Sequence, residues 1–580
     1  MTRLFALAGL LVLAACSDSR SAGASPATYH VDYDAGSDAA AGTSAAAAWK
    51  HAPGDPNATG TPGRTRLQPG DTIRLRGNVH YRGAITLKSS GTADAPITWS
   101  GTGFGTGLGI IDGSERIRSV RPCSSAADCG NAGNWQTLHR ITFVQPATRR
   151  LVLFGKSMPY WLSQLPNASD PFLADDTTDY VVTPLSTLPA LQSGTLRSPE
   201  LARAAASGGS LELAFWVVPN FIRRVPVLGV EGDTLRFDPE GVKFYDNRDG
   251  RVALNGSFAG LQPEGSFLML EEGVIIAHLR PEDSLATLSV GAGRFAIEAG
   301  GQSHIRITGI HFRNLSGSAG TQGEGRAFSS TGPGAIDIEL KGNLFGPAFI
   351  EESNSGLIRI VRGRNFRFIS NRIENISIGT AMSLGGHDVG DLVIEGNVIR
   401  RIGRSGIYML GLDGATVRGN ILAEVRGIHG NAITTYLGNR NILIEGNCVV
   451  SSHRPVTFHG NSRPDEVNGI IIRNNIFVAT PDGQAAINSW GRGTNTVSIT
   501  GNILAGSRFG IMLNGADRNI TVEGNDTSGI TINGTAGPGW RIADNTEALT
   551  LARAVGGQFS EDSCTVPASR LDLNIVRAPK

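Results

Sequence analysis

LVIEGNVIRRIGRSGIYMLG (392–411), LDGATVRGNILAEVRGIHGNAITTYLG (412–438) and NRNILIEGNCVVSSHRPVTFHG (439–460) follow one another without a break, one phrase written three times. Each opens on alternating apolar residues, reaches Gly-Asn, continues through another apolar pair and then holds a second short run (SGIYMLG, NAITTYLG, RPVTFHG). The alternation has the period of two of a strand, not the 3.6 of a helix. Working outward, the same Asn recurs at 314, 343, 371, 397, 420, 447, 475, 502, 525 and 545, in steps of 20 to 29 residues. Such steps are too short for a βαβ unit with a real helix, which takes about 30 residues or more.

Two or three short strands per step, joined by Gly and Asn turns, describe one coil of a solenoid. Asn at the same point of every coil can stack as an internal ladder, and Gly beside it supplies the backbone angles of a tight corner. The reading is an all-β chain, a parallel β-helix, with parallel crossovers favouring the right hand. Composition agrees. Gly is 76 of 580 residues, about twice the usual share, without a collagen period. Charged residues are 18%, 52 basic against 51 acidic, which argues against nucleic-acid binding through bulk electrostatics.

The chain resembles the right-handed parallel β-helix proteins of the pectate-lyase-like superfamily. The likeness lies in the repeats and in the opening, YHVDYDAGSDAAAGTSAAAAWKHA (29–52) followed by LQPGDTIRLRGNVHYRGAITL (67–87) with its PGD turn. It implies a polysaccharide-active protein and leaves the reaction open, because this fold hosts lyases, hydrolases, epimerases and non-enzymes. The start, MTRLFALAGLLVLAAC (1–16), resembles a bacterial lipoprotein signal in which Cys16 is lipidated. Residues 17–28 then form a tether, 29–114 an N-terminal cap and first coils, 115–291 an inserted antiparallel β module, 292–546 the β-helix repeats, and 547–580 a C-terminal cap and tail, with a short helix over 546–556. The expected setting is the cell envelope, after export, with the membrane met only through the lipid and the protein a monomer. Cys123 and Cys129, six residues apart, read as a local disulfide; Cys448 reads as a buried apolar filler, and Cys564 has no evident partner.

Stacking the second strands on Met382, Ile407, Ile433, Val456, Ile487 and Ile511 points Ser383, Tyr408, Thr434, Thr457, Asn488 and Met512 outward. The next outward column is Gly385, Leu410, Tyr436, His459, Trp490 and Asn514. Neighbouring coils lie ~4.8 Å apart, close to one sugar of an extended polymer, so this face reads as a strip of saccharide subsites with aromatic platforms. Just before these strands fall Arg404, Glu424, Arg426, His429, Asn431, His453 and Arg454. Three of the eleven His (429, 453, 459) lie on consecutive coils. Single polar residues at solenoid corners cap backbone groups; this density points to a site.

Lyase action on a uronate needs its carboxylate neutralised and a base for the α-proton. Arg404, Arg426 and Arg454 suit the first task, and His429, His453 or Tyr436 the second. Asn431, Tyr408, His459, Asn488 and Trp490 are the accompanying substrate contacts. No Lys and no dense Asp cluster falls on these coils, so Ca²⁺ is unsupported and the metal is left unknown. Hydrolysis needs two carboxylates, for which Asp388, Asp413, Glu424 and the pair Asp465–Glu466 are candidates. The expectation is cleavage of an acidic polysaccharide by β-elimination, with a glycoside hydrolase or a non-catalytic glycan-binding envelope lipoprotein as alternatives.

Overall fold

A computed structural model describes residues 25–547, 559–560 and 563–564, apart from 147–150, 171, 173–176, 219–220, 318–323, 352–355, 387, 428, 461–466, 491–492 and 506–508. Each repeat turns through three strands. Those of the phrase itself, such as Val389–Glu395 and Asp413–Arg418, stack into a 13-stranded parallel sheet (sheet 1). Those after the Asn, such as Val398–Ile402 and Ile421–Val425, form a 14-stranded sheet (sheet 2). The second runs, Ser405–Leu410, Asn431–Thr435 and Arg454–His459, form an 11-stranded sheet (sheet 3). The result is a right-handed parallel β-helix. Its interior is a set of apolar columns, and Ile394, Val417, Ile444, Ile472, Ile499 and Val522 are all at 0% exposure. Each buried Ile or Val stabilises by about 1.5–3 kcal/mol, so the interior supplies the bulk of the stability but little of the register, since one Ile fits much like the next.

Register is fixed at the corner between sheets 1 and 2. From Asn343 to Asn545 each ladder Asn donates its Nδ2 to the Oδ1 of the next, at 2.9–3.1 Å. A second bond ties each to the preceding coil, as from Asn447 Nδ2 to the Val417 carbonyl at 2.8 Å, while Asn447 Oδ1 accepts from the Asn420 amide at 3.0 Å. The residue before the Asn is left-handed: Gly396, Gly419 and Gly446 have φ of 63°, 60° and 62°. Gly holds that angle without strain, and where Ser370, Asn474 or Asp544 replaces it φ is still 51–55°. Asn314 is a correction. It lies beyond strand Ile310–Arg313, one corner too late, and its Nδ2 reaches Ser289 Oγ at 3.3 Å; the ladder position of that coil is Ile310, whose amide donates to Asn343 Oδ1. A shorter ladder of Asn439, Asn468 and Asn495 at the corner after sheet 3 escaped the sequence reading.

The first coils are interrupted without breaking the stack. Ile85–Thr86 pairs in parallel with Ile297–Glu298, and Ile97–Ser100 with Ile305–Thr308, so the chain leaves after Asp112 and returns to the same coil edge. Between them lie two seven-stranded, mainly antiparallel sheets with their own cores, one around Phe215, Leu235 and Val252, the other around Ile141, Phe267 and Ile275. A short helix, Pro199–Ala205, starts at Ser198, whose side chain accepts from the Leu201 amide. The module docks on the solenoid: Arg224 pairs with Glu351 at 3.0 Å, Ser377 Oγ donates to the Phe172 carbonyl, and the Arg404 guanidinium lies 5.5 Å from the Phe221 ring. Cys123 and Cys129 are disulfide-bonded, Cα atoms 6.0 Å apart.

Residues 27 and 28, read as tether, are already tied to the first coil, where the Ala27 amide donates to Asp71 Oδ1 and Thr28–Val31 pairs with Thr72–Leu75. Cys448 is buried but disulfide-bonded, which corrects its reading as a filler. The signal with Cys16 and most of the helix expected over 546–556 lie outside the described residues. Among those described, no helix is long and apolar enough to cross a membrane. Removing one ladder amide leaves buried partners unsatisfied, so Asn447→Ala is expected to lower unfolding free energy by about 2–4 kcal/mol. Urea denaturation followed by circular dichroism checks this; a loss below about 0.5 kcal/mol, the size of an ordinary surface change, would contradict it.

Candidate functional site

The outward face of sheet 3 is built by strict register. Ser383, Tyr408, Thr434, Thr457, Asn488 and Met512 pair coil to coil, and Arg359 continues the row on the preceding coil. The residues between them, from Met382 to Ile511, are at 0% exposure on the inner face. The neighbouring row carries the aromatic strip. Tyr408 and Tyr436 rings are 5.9 Å apart, Tyr436 and His459 4.7 Å edge-on, and His459 and Trp490 6.1 Å. Beneath the strip Thr434, Thr457 and Asn488 are almost sealed, with Asn488 at 0% exposure and its Nδ2 on Gln484 Oε1 at 3.2 Å. Asn488 therefore belongs to the floor, not to the contact surface.

The Arg454 guanidinium lies over the Trp490 ring, 5.0 Å from its centroid. Its backbone is set by the row Ser405, Asn431, Arg454 at the start of the strands. Burial lowers its pKa, its Nε is buried without a hydrogen-bond partner, and no carboxylate among the described residues pairs with it. His429 stands at the same corner. Burial, then the charges of Arg404, Arg454 and His459, push its pKa down to about 3. Burial lowers His459 to about 4. Tyr408 is raised to about 12 by burial and by Tyr436, against the pull of Arg359 and Arg404. The corner thus joins a half-buried cation to two neutral imidazoles and two phenols.

One carboxylate stands at its edge: His453 Nε2 is 3.3 Å from Asp482 Oδ2. Burial works against ionisation of Asp482, but the Thr480 hydroxyl and the charges of His453 and Arg426 hold its pKa below the ordinary value. Glu424 is half-buried on Ile421–Val425 with a left-handed φ of 53°. Asp413 is placed elsewhere: it opens strand Asp413–Arg418 in sheet 1, exposed and accepting from Asn441 Nδ2 at 2.8 Å. The six residues of Ser405–Leu410, about 20 Å of strand, separate it from the His429 corner, and the exposed Asp388 lies at the same far corner, just ahead of Val389–Glu395. Asp465 and Glu466 lie outside the described residues. Sequence reasoning missed Arg359, which donates to Ser383 Oγ at 2.7 Å, because its coil lacks the Gly-terminated second run. It missed Asp482 because Pro-Asp-Gly reads as a plain turn. Among the described residues no cluster of three or more His, Cys, Asp or Glu is arranged to hold a metal ion.

A family model described as the right handed beta helix region matches residues 355–527. No curated protein matches the chain. Among solved structures, a chain described as a glycoside hydrolase is 13% identical over 91% of this chain and 98% of its own, TM-score 0.47. XylC in complex with xylose is 12% identical, covering 86% and 76%, TM-score 0.40. A lacto-N-biosidase from Eubacterium ramulus is 11% identical, covering 90% and 68%, TM-score 0.35.

The two depressed histidines fix a pH dependence. Their folded pKa values, about 3 and 4, lie below the ~6.5 of an unfolded chain, so the unfolded chain binds protons first as pH falls. Their contribution to stability is complete above pH ~6.5 and is lost as pH falls towards the folded values. Denaturation at about pH 7 and about pH 5 is expected to show a loss of stability that His429→Gln with His459→Gln reduces. An unchanged difference in the double variant would contradict this.

Proposed function

We propose that this chain cleaves an acidic polysaccharide laid along sheet 3, by β-elimination at a uronate. The observation that carries the reading is Arg454, a half-buried cation whose Nε is sealed without a hydrogen-bond partner, beside a neutral imidazole and with no carboxylate partner among the described residues. A charge partly withdrawn from water without a counterion is costly, and a substrate carboxylate would supply the missing partner, bidentately where the guanidinium allows. Neutralising that carboxylate acidifies the adjacent α-proton. The same anion would offset Arg454 and Arg404 at His429 and raise its pKa towards the range of an effective base. His429 then takes the α-proton, the carbon–carbon double bond forms as the glycosidic carbon–oxygen bond breaks, and Tyr436 or Tyr408 returns a proton to the leaving oxygen. Tyr436, His459 and Trp490 would hold flanking sugars by their faces.

Hydrolysis is the second reading, and Asp482 beside His453 at the edge of the corner is what favours it. Incubation with alginate, polygalacturonate and hyaluronan separates the cases. Elimination yields a double bond conjugated with the carboxylate and a new short-wavelength ultraviolet absorbance, whereas reducing ends without that absorbance mean hydrolysis. Binding without either product means a glycan-binding protein. In the elimination case Arg454→Met and His429→Asn are expected to lower kcat by ~10²–10⁴, and Trp490→Ala to raise KM ~2–10-fold. Equal rates in Arg454→Met would overturn the assignment.

The cellular setting belongs to the same proposal. Export with lipidation of Cys16 would tether the solenoid at an envelope membrane and leave its glycan face free. Expression in a bacterial host fed radiolabelled palmitate is expected to label the wild type and leave Cys16→Ser unlabelled; a labelled Cys16→Ser would contradict it.

A further inference from the structure

A second cavity, of about 490 Å³, lies between the first coils of sheet 2 and the inserted module. Its charge is one-sided. Arg82, Arg116, Arg118, Lys156 and Arg313 line it together with His80, and Asp112 is its single carboxylate. That balance contrasts with a chain whose net charge is +1. Asp112 is also fully engaged, 1% exposed. Its Oδ1 accepts from the Ser114 amide and hydroxyl, and its Oδ2 meets His80 Nδ1 at 2.5 Å and Arg82 at 3.3 Å. It orients His80 and Arg82, and its charge also acts on Arg313 in the next coil without a direct ion pair. Arg116 reaches Asp34 at 3.5 Å on the exposed rim. Arg118, Lys156 and Arg313 pair with no carboxylate among the described residues, and the Nε of Arg313 is buried without a hydrogen-bond partner.

Like charges are gathered here by the fold, not by chance neighbours in sequence. Arg313 stands in register with Asp112 on adjacent coils of sheet 2, while Arg116 and Arg118 arrive on Ser114–Pro122 as the module departs. Lys156 belongs to the module, and its carbonyl accepts from Arg313 at 3.4 Å. Mutual repulsion in a part-enclosed space is a cost that an anion would relieve. The volume falls within the usual range of small-ligand sites, ~300–1,000 Å³. No Tyr, Trp or Phe is among the residues that line the cavity, so it lacks the Tyr and Trp platforms of sheet 3; Leu285, Leu288 and Ile117 form its apolar side.

We infer that this cavity is a second, non-catalytic site that binds one acidic saccharide unit, its carboxylate, sulfate or phosphate group held by Arg313, Lys156 and Arg118 and its ring against the leucines. The inference does not rest on the reading of sheet 3, from which the cavity is separate in sheet and in coil.

The test uses the whole protein and titration calorimetry with D-glucuronate, D-glucose, inorganic sulfate and inorganic phosphate. Glucuronate is expected to bind with an affinity that falls as salt rises, and glucose not to bind. The exposed pair Lys156→Ala with Arg118→Ala removes two charge-assisted contacts without touching the core, and is expected to weaken glucuronate at least ~10-fold. Arg454→Met should leave this binding unchanged. Equal binding of glucose, or an unchanged affinity in the Lys156/Arg118 variant, overturns the inference. Loss of binding in Arg454→Met alone assigns glucuronate to sheet 3 and overturns this site while sparing the other. Sulfate or phosphate binding as tightly as glucuronate makes the oxyanion the ligand and overturns the saccharide assignment.

Discussion

A solenoid of short strands has one demand that its core cannot meet: coils of near-identical apolar residues must be kept from slipping past one another. The buried amide ladder from Asn343 to Asn545 meets it. Each side chain satisfies the carbonyl of one coil and the amide of another, so a slipped register would leave several buried polar groups unpaired at once. The outward rows of sheet 3 are ordered because the inward rows and this corner are. Arg454 meets Trp490 across a coil boundary, and Tyr436, His459 and Trp490 follow one another, only while register holds.

The same ordering explains how a chain with balanced charge keeps two strongly cationic places. On a solenoid every coil adds a side chain to each outward row, so charges distant in sequence are brought within a few ångströms of one another. At the sheet 3 corner Arg404, His429 and Arg454 come from three successive coils. At the first coils, Arg82 and Arg313 are more than two hundred residues apart in the chain and flank one buried carboxylate. Both places set a fixed positive field in partly enclosed surroundings, where Coulomb interactions are strong. They differ in what surrounds the charge: rings and phenols at sheet 3, aliphatic side chains at the second cavity.

Much of this was legible in the sequence for a physical reason. A period of two interrupted by Gly-Asn has one structural solution, and the rows through Ile407, Ile433 and Val456 follow from spacing alone. The failures are equally specific. Asn314 carries the right phrase at the wrong corner, since a bend can use Asn without stacking it. Asp413 reads as a candidate carboxylate for hydrolysis, yet it opens a sheet 1 strand, and the length of a sheet 3 strand separates it from the His429 corner. Asn488 points outward yet is sealed at 0% exposure, its Nδ2 held by Gln484 from the turn just ahead of its strand. Asp482 and the Arg82–Asp112–Arg313 group carry no phrase at all; only the meeting of separate coils and the inserted module assembles them.

Half-buried Arg454, with no carboxylate partner among the described residues, is proposed to await one from the substrate. The most direct measurement compares binding of a uronate oligosaccharide with that of the same oligosaccharide after its carboxyl groups are reduced to alcohols, on wild type and on Arg454→Met. The account predicts that wild type prefers the acid ~10-fold or more and that Arg454→Met loses most of this preference. Equal affinity of wild type for acid and alcohol would contradict it.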